Sequence, residues 1–182
     1  MAASPTTADC LLTVIDVQGA LARAVLAPDQ YLAAMATLIK GLRTMHVPVL
    51  WLEQNPRHLG PTVPEIAGCL EGLAAMPKMT FSCWGCEAYV SALEASGRQH
   101  VLLAGVETHV CVYQTARDLV ARGYSVDVVA DACSSRTAAN KQIGLDRARA
   151  CGAGITSAEM VLFELLQTAA SPHFKAILRL VK

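Results

Sequence analysis

The sequence has few aromatic residues, few charged residues and no long hydrophobic run, and these shortages exclude several classes of protein. Of 182 residues, 16% are charged, and 15 Lys and Arg balance 15 Asp and Glu to a net charge of +0. This composition lacks the high net charge of disordered chains and the basic surface that nucleic acids or anionic membranes attract. The longest apolar stretches, such as 47–52 and 101–106, are far shorter than the ~18–20 residues of a membrane-spanning helix.

Aliphatic residues are abundant instead. The chain is 53% hydrophobic with a mean hydropathy of +0.38, although aromatic residues contribute only 5%. Its length fits a single domain over residues 1–182, and a chain of this size buries roughly 70% of its unfolded surface. Because membrane spans are excluded, we expect the apolar excess in a core and at a subunit interface. The composition therefore predicts a homo-oligomer, a dimer or tetramer, that binds neither nucleic acid nor membrane.

The seven cysteines are scattered at positions 10, 69, 83, 86, 111, 133 and 151. An odd, dispersed set in a chain of this length does not resemble a disulfide framework. The start, MAASPTTAD, has no basic segment before an apolar one, so we predict no secretory signal and a cytoplasmic protein with free thiols. The one C-x-x-C, Cys83 to Cys86, lacks the second pair that a zinc site needs. A thioredoxin-like role stays an alternative, and we favour a packing role.

Short apolar segments alternate with longer stretches of helical periodicity. Strands are predicted at residues 10–15, 47–52, 76–81, 100–104, 124–130 and 153–156. Helices are predicted at 28–45, 87–95, 110–120, 137–150, 157–167 and 172–181, and a loop at 55–64. The alternation predicts an α/β fold with a parallel sheet covered by helices on both faces, which explains strands that are apolar throughout.

In folds of this class, functional groups collect at the carboxyl ends of strands, near the point where strand order reverses. Asp16, Glu53 and Asp131 end the first, second and fifth predicted strands, and the turn at 105–111 follows the fourth. If the order reverses between strands one and four, Asp16 and Cys111 face each other across the crevice.

Cys111 is predicted to lie at the start of a helix. The partial positive charge and free amides of a helix N-terminus favour a thiolate, so its pKa is expected to fall below the usual ~8.5. The same amides could stabilise an oxyanion. The alternative is that Cys111 is a buried small hydrophobe, as free cysteines often are.

Two charged residues stand in apolar surroundings. Asp16 follows six apolar or β-branched residues, and an isolated buried carboxylate is costly unless it is paired or functional. Lys78, within AAMPKMTF, is the only lysine between positions 40 and 141. A turn or capping role for Asp16 and a surface role for Lys78 remain alternatives. With Cys111, they suggest a nucleophile, a carboxylate base and an orienting lysine.

Three motifs make the sequence similar to the isochorismatase-like cysteine hydrolase superfamily over nearly the whole chain: DVQ at 16–18, KMTFS at 78–82 and GVETHVCV at 105–112. Segments 53–65, 131–136 and 172–175 resemble the short isochorismatase-domain-containing proteins in particular. The resemblance implies a three-layer α/β/α fold with a six-stranded parallel sheet in the order 3-2-1-4-5-6.

The resemblance also implies a mechanism and its residues. Asp16 takes the proton of Cys111, Lys78 balances the charge, and the thiolate attacks a small amide-like substrate to give a thioester that water hydrolyses. The peptide between Val106 and Glu107 is often cis in such proteins, which makes the amides of Glu107 and Cys111 an oxyanion hole. Nicotinamidase relatives bind a metal through Asp-x-His and further histidines, but residues 53–58 (EQNPRH) lack this pattern. We therefore predict neither metal nor cofactor.

Four residues are candidates for the substrate-binding wall: Gln18, Phe81, Trp84 and Val106. Gln18 could donate to Asp16 or to a substrate, and core packing is an equal alternative for the two aromatic residues.

Two residues of the nucleophile turn raise separate questions. His109 is a poor candidate base, because side chains two residues apart on a helix diverge by roughly 200°. Glu107 replaces a small residue of many amidase relatives and would disfavour anionic substrates or shape the hydrogen bonding of the pocket. This change and the high hydropathy keep a second hypothesis open, a catalytically weak scaffold or interaction module.

Overall fold

The structure, a computed structural model, describes residues 5–182. Six parallel strands form one sheet in the order β3-β2-β1-β4-β5-β6, as the resemblance implies. The strands are β1 (Cys10–Ile15), β2 (Val49–Gln54), β3 (Met76–Lys78), β4 (His100–Val106), β5 (Ser125–Ser134) and β6 (Gly154–Thr156). The predicted α/β class and strand order are therefore confirmed.

Helices connect consecutive strands or cover the sheet. They are α1 (Pro28–Thr44), α2 (Pro56–Leu59), α3 (Pro64–Ala67), α4 (Glu87–Ser96), α5 (Tyr113–Val120), α6 (Ala138–Ala150), α7 (Ala158–Leu166) and α8 (Phe174–Val181). Short 3₁₀ turns cover Gly68–Leu70 and Cys83–Gly85, and a π-helical turn covers Thr108–Val112. Within residues 5–182, no helix is long and apolar enough to cross a membrane.

Two apolar cores lie on opposite faces of the sheet, and β1 contributes to both. Its residues Leu12 and Val14 join the core beneath α1, α3, α7 and α8, whereas Leu11 and Ile15 join the core beneath α4, α5 and α6. All six residues of β1 are buried. This two-sided burial explains why the strand is apolar throughout instead of alternating.

The structure corrects the predicted bounds of β3 and of the loop at 55–64. β3 ends at Lys78 rather than at residue 81, because the chain folds back and the carbonyls of Thr80 and Phe81 accept hydrogen bonds from the Lys78 ammonium. The predicted loop contains the short helix α2. Pro56 opens this helix at a position where no backbone N–H is needed.

The structure also corrects the predicted end of the fifth strand. β5 continues to Ser134, so Asp131 does not end a strand. Its carboxylate accepts a hydrogen bond from the amide of Ala158, at the start of α7, at 2.9 Å. Asp131 therefore has a capping role away from the crevice, which its place in the sequence does not reveal.

Two glycines allow the close approaches that build the end of the sheet. Gly105 has φ of 138°, and a Cβ atom there would lie 2.1 Å from the carbonyl oxygen of Ile15. Gly144 lets α6 contact the π-helical turn, because a Cβ atom there would lie 2.7 Å from the backbone nitrogen of His109. These contacts place the turn that carries Cys111 directly between β1 and α6.

Candidate active site

A buried ion pair joins the ends of two strands at the crevice. Lys78, the last residue of β3, donates to Oδ2 of Asp16, which follows β1, at 2.7 Å. The two side chains are 0% and 1% exposed, respectively. Asp16 adopts φ of 56°, a left-handed conformation that is unusual for a non-glycine residue and that clusters at functional sites. The predicted proximity of Asp16 and Lys78 is present.

Protein acceptors surround the Lys78 ammonium. Besides Asp16, it donates to Oε1 of Gln54 at 2.8 Å and to the carbonyls of Thr80 and Phe81 at 3.2 Å each. An ammonium carries three N–H donors, and these four oxygens occupy them. Lys78 is therefore held in place as a fixed positive charge beside Asp16.

Cys111 completes the set from the π-helical turn after β4. It is 6% exposed, and its thiol is close enough to the Asp16 carboxylate to affect the pKa of both groups. Oδ1 of Asp16 has no hydrogen-bond partner among residues 5–182. The structure thus brings together Asp16, Lys78 and Cys111 from the carboxyl ends of three strands, β1, β3 and β4, or from the segments that directly follow them.

The electrostatics of the site differ from the expectation. Burial raises the pKa of the Cys111 thiol, the negative charge of Asp16 raises it further, and Lys78 only partly opposes both effects. The prediction of a lowered pKa for Cys111 is therefore wrong. Burial also raises the pKa of Asp16 above its usual value, against the opposing charge of Lys78.

The turn before Cys111 has a special backbone. The peptide between Val106 and Glu107 is cis. The Glu107 carbonyl accepts hydrogen bonds from the amides of Val110 and Val112 at 3.0 and 3.3 Å, whereas the Glu107 amide donates none within the described part of the chain. A free amide four residues before the nucleophile is available to a ligand.

The Glu107 carboxylate has a partner that the sequence does not suggest. It accepts from the amide of Arg136 at 3.2 Å and from its Nε at 3.0 Å. The Glu107 side chain is 11% exposed and that of Arg136 is 61% exposed. The negative charge at the turn is therefore balanced.

Gln18 is fully buried and engaged with backbone groups. Its Nε2 donates to the carbonyls of Gln54 and Gly60 at 3.1 and 2.7 Å, and its Oε1 accepts from the Gln54 amide at 2.7 Å. Both N–H donors of the side-chain amide are occupied. The prediction that Gln18 donates to Asp16 is therefore wrong.

The other candidates for the pocket wall differ in their surroundings. Phe81 is 55% exposed, and Val106 is fully buried in the core beneath α1. The Trp84 ring lies 4.4 Å from the Arg122 guanidinium and 6.1 Å from the Tyr124 ring. These contacts agree with the packing alternative for Trp84.

The C-x-x-C pair also has the surroundings of a packed core. Cys83 and Cys86 are free and buried in the core beneath α4, α5 and α6. The Cys83 amide donates to the Thr115 hydroxyl at 3.0 Å, and that hydroxyl donates to the Cys111 carbonyl at 2.7 Å. Burial raises the pKa of Cys83 to about 12.

The histidine and glutamate near the site have other partners. His109 contacts the Ser135 hydroxyl through Nδ1 at 3.1 Å. The Glu53 carboxylate accepts from the amide and hydroxyl of Thr62, both at 2.7 Å. Residues 5–182 contain no group of three His, Cys, Asp or Glu side chains arranged to hold a metal ion.

Sequence reasoning missed Gln54 and Arg136 as site residues. Both belong to segments that carry the family resemblance, EQNP and SSR, and both follow or end strands at the crevice. Their position was the signal that could have identified them, because polar groups at the carboxyl ends of neighbouring parallel strands converge.

A model of the isochorismatase domain matches residues 10–160. The chain belongs to the isochorismatase domain family. Isochorismatase domain-containing protein 2A of Mus musculus is 40% identical over 158 residues, which cover 84% of this chain and 73% of that relative. The protein is therefore an isochorismatase-family hydrolase.

Solved structures of similar proteins share the isochorismatase-family fold. The MAR1 ribonuclease of Caenorhabditis elegans has a TM-score of 0.93 at 31% identity, over 98% of this chain and 92% of that one. YcaC of Pseudomonas aeruginosa, solved with hexane-2,5-diol and covalent acrylamide, has a TM-score of 0.89 at 26% identity, over 96% and 90% of the two chains.

Proposed function

We propose that this protein is a metal-independent cysteine hydrolase that cleaves a small amide-like (C–N) substrate through a thioester on Cys111. The observation that carries the proposal is the Asp16 carboxylate between a buried ammonium and a thiol. Its Oδ2 accepts from Lys78, and its Oδ1 has no hydrogen-bond partner within residues 5–182. A buried carboxylate oxygen beside a thiol is a ready proton acceptor, so Asp16 is the base and Cys111 the nucleophile.

The reaction begins with proton transfer from the Cys111 thiol to Asp16. The thiolate attacks the carbonyl carbon, and the amides of Glu107 and Cys111 donate to the oxyanion that forms. Protonated Asp16 then gives its proton to the nitrogen, the C–N bond breaks, and ammonia or an amine leaves. Water, deprotonated by Asp16, attacks the thioester to release a carboxylic acid and restore the thiol.

Lys78 keeps Asp16 competent as a base in this scheme. A buried carboxylate otherwise takes up a proton, because burial disfavours the charged form. Since the four acceptors around Lys78 belong to the protein, its role is to hold charge rather than to bind substrate.

The proposal of a metal-independent reaction is supported by the engagement of Glu53. This carboxylate lies where nicotinamidase relatives have metal ligands, and it is hydrogen-bonded twice to Thr62. The nucleophile of the scheme is a thiol, which needs no metal-bound water.

Substitution of the nucleophile tests the proposal. Ammonia or amine release from a panel of small amides should be lost in Cys111→Ala and kept in Cys151→Ala, which removes a partly exposed thiol elsewhere. A separate assay of RNA cleavage accompanies the panel, because the C. elegans relative is named a ribonuclease. Full activity in Cys111→Ala would refute the triad. No turnover of any substrate, with ordinary reactivity of Cys111, would favour the scaffold hypothesis.

Alkylation gives a test that needs no substrate. The covalent acrylamide in the P. aeruginosa relative belongs to that protein, and it supports the use of small electrophiles here. Iodoacetamide should modify Cys111 near neutral pH before the other six thiols, because Asp16 assists its deprotonation. Of the others, Cys10, Cys83 and Cys133 are fully buried. Faster modification of any other thiol would contradict the assignment.

We further propose that the protein is a cytoplasmic homo-oligomer. Exposed apolar side chains support subunit contacts, among them Met79 at 71%, Met160 at 62% and Phe81 at 55%. All seven cysteines are free, which suits a reducing compartment. Light scattering after size-exclusion chromatography should give at least a dimer mass, and a monomer at micromolar concentration would overturn the assembly. Cell fractionation tests the location.

A further inference from the structure

A chain of hydrogen bonds runs from Gln18 through Gln54 to the Lys78 ammonium. Gln18 holds both backbone groups of Gln54, its carbonyl at 3.1 Å and its amide at 2.7 Å. The side chain of Gln54 then accepts from Lys78 at 2.8 Å. Neither glutamine has a step in the proposed reaction, so this chain needs its own explanation.

Gln18 fixes the end of β2, because its fully buried side-chain amide forms two hydrogen bonds with the backbone of Gln54. Its second Nε2 donor goes to the Gly60 carbonyl at 2.7 Å, which ties the loop after α2 to the same point. Displacement of Gln54 would leave the buried amide of Gln18 unpaired, which is costly for a group removed from water. The backbone position of Gln54 is thus determined from outside the site.

The orientation of the Gln54 side-chain amide follows from its two partners. Its Nε2 donates to the Met79 carbonyl at 2.8 Å, so its Oε1 is directed at Lys78. This oxygen is neutral. It satisfies one donor of the ammonium without competing for the positive charge, which stays available to Asp16.

We infer that Gln54 is a positioning residue of this site, held by Gln18, which fixes Lys78 against Asp16 and so keeps Asp16 ionised as the base for Cys111. The inference rests on the proposed function. Lys78 and Cys111 are the ionisable groups that face Asp16, and Cys83 lies in the same buried cluster. The Glu53 carboxylate is engaged by Thr62.

The rate of Cys111 alkylation should depend on pH through the protonation of Asp16. Below the pKa of Asp16 both groups are protonated, and alkylation of Cys111 is slow. Above it, Asp16 accepts the thiol proton and the rate reaches a plateau. The midpoint of this acid limb therefore reports on the charge balance that Lys78 maintains.

Gln54→Glu tests the inference. A second carboxylate beside Lys78 competes with Asp16 and repels its charge, so the acid limb should move up by about one pH unit. The rate of iodoacetamide modification, followed by mass spectrometry of the Cys111 peptide from pH 4 to 9 (roughly the range around ordinary carboxyl and thiol pKa values), gives the profile. Gln99→Glu is the matched control, since it adds the same charge on an exposed residue before β4. The acid limb of its alkylation profile should stay at the pH of the wild type.

A second variant separates positioning from stability. Gln54→Leu removes the acceptor without adding charge, and the plateau rate should fall about tenfold, as expected for one lost hydrogen bond to a charged group. If Gln54 had a purely structural role, both variants would have lower melting temperatures but unchanged pH profiles of Cys111 alkylation. That result would overturn the inference. A wild-type profile without an acid limb would overturn the Asp16–Cys111 pairing of the proposed function itself.

Discussion

A close pair of ionisable side chains lies at each end of the sheet, and the two pairs have similar distances but different burial. At the carboxyl end, Lys78 and Asp16 are 2.7 Å apart and 0% and 1% exposed. At the opposite end, where β4 begins, His100 and Asp127 are 2.6 Å apart and 17% and 25% exposed. Contact distance therefore does not distinguish the two pairs, whereas burial does.

The two pairs have different supporting contacts as well. Lys78 has three further acceptors, because removal from water leaves each of its donors in need of a partner. His100 and Asp127 lie on adjacent strands near solvent, which satisfies their remaining groups. Desolvation is therefore nearly complete at the end of the sheet that holds the thiol and partial at the other end. This is the expected signature of a site maintained for chemistry.

The largest expected effect is that of breaking the buried pair. Lys78→Met leaves the Asp16 carboxylate buried without its counter-charge, so we expect a loss of about 3–5 kcal/mol in the free energy of unfolding. Urea denaturation measures this loss. The double variant Asp16→Asn/Lys78→Met should recover most of it, since no charge remains buried. A double variant as unstable as Lys78→Met would show that the lost packing, and not the charge, was responsible.

Asp16→Asn should separate the two effects of Asp16 on Cys111. Because the Asp16 charge raises the pKa of the thiol, the alkaline rise in Cys111 alkylation should move to lower pH in this variant. The plateau of the alkylation rate, between the acid limb and the alkaline rise, should disappear because the Asp16 carboxylate is no longer present to accept the thiol proton. Turnover should fall by about 10²–10⁴-fold, the usual contribution of general acid–base catalysis. An unchanged alkaline rise would contradict the electrostatic coupling, and unchanged turnover would contradict the base.

The Glu107–Arg136 pair combines a mostly buried carboxylate with an exposed guanidinium, and it lies at the nucleophile turn, so we expect an effect between those of the other two pairs. Arg136→Gln leaves the negative charge of Glu107 unbalanced at the nucleophile turn. Relative to neutral amides, kcat/KM for amides that carry a carboxylate should fall about tenfold, as one unit charge a few ångströms away predicts. Arg149→Gln, which removes an exposed arginine of α6, is the control. Equal effects on kcat/KM for anionic and neutral substrates would show that Arg136 does not contribute to the recognition of charged substrates.

The smallest effect is expected at the other end of the sheet. Because His100 and Asp127 are partly solvated, His100→Gln should cost about 0–1 kcal/mol in the free energy of unfolding and leave hydrolysis unchanged. The same urea experiment measures it beside Lys78→Met. A loss as large as that of Lys78→Met would remove the distinction between the two ends.

Residue type and strand position were enough to predict part of the site from sequence. A carboxylate directly after a fully apolar strand is rare, and so is a lysine inside an apolar segment, which is why Asp16 and Lys78 stood out. Their meeting point followed from the strand order that the family resemblance implied. The termination of β3 was not predictable, because it depends on the carbonyls that Lys78 attracts.

Charge balance and side-chain orientation escaped prediction for physical reasons. Helix position suggested a lowered pKa for Cys111, but burial and Asp16 raise it, and both depend on three-dimensional packing. Gln18 was a candidate for donation because it is polar and lies near Asp16 in sequence. One of its donors goes to the Gln54 carbonyl of β2 and the other to the Gly60 carbonyl, while its Oε1 accepts from the Gln54 amide. Such pairing arises only when distant segments meet.

The contact at Gly144 ties the floor of the crevice to an element that supplies no chemical group to it. α6 packs so closely against the π-helical turn that the methyl group of an alanine at position 144 would not fit between them. Any side chain larger than glycine at position 144 would push α6 away from the turn that carries Cys111. The position of the thiol therefore depends on a residue of a helix that contributes nothing to the reaction itself.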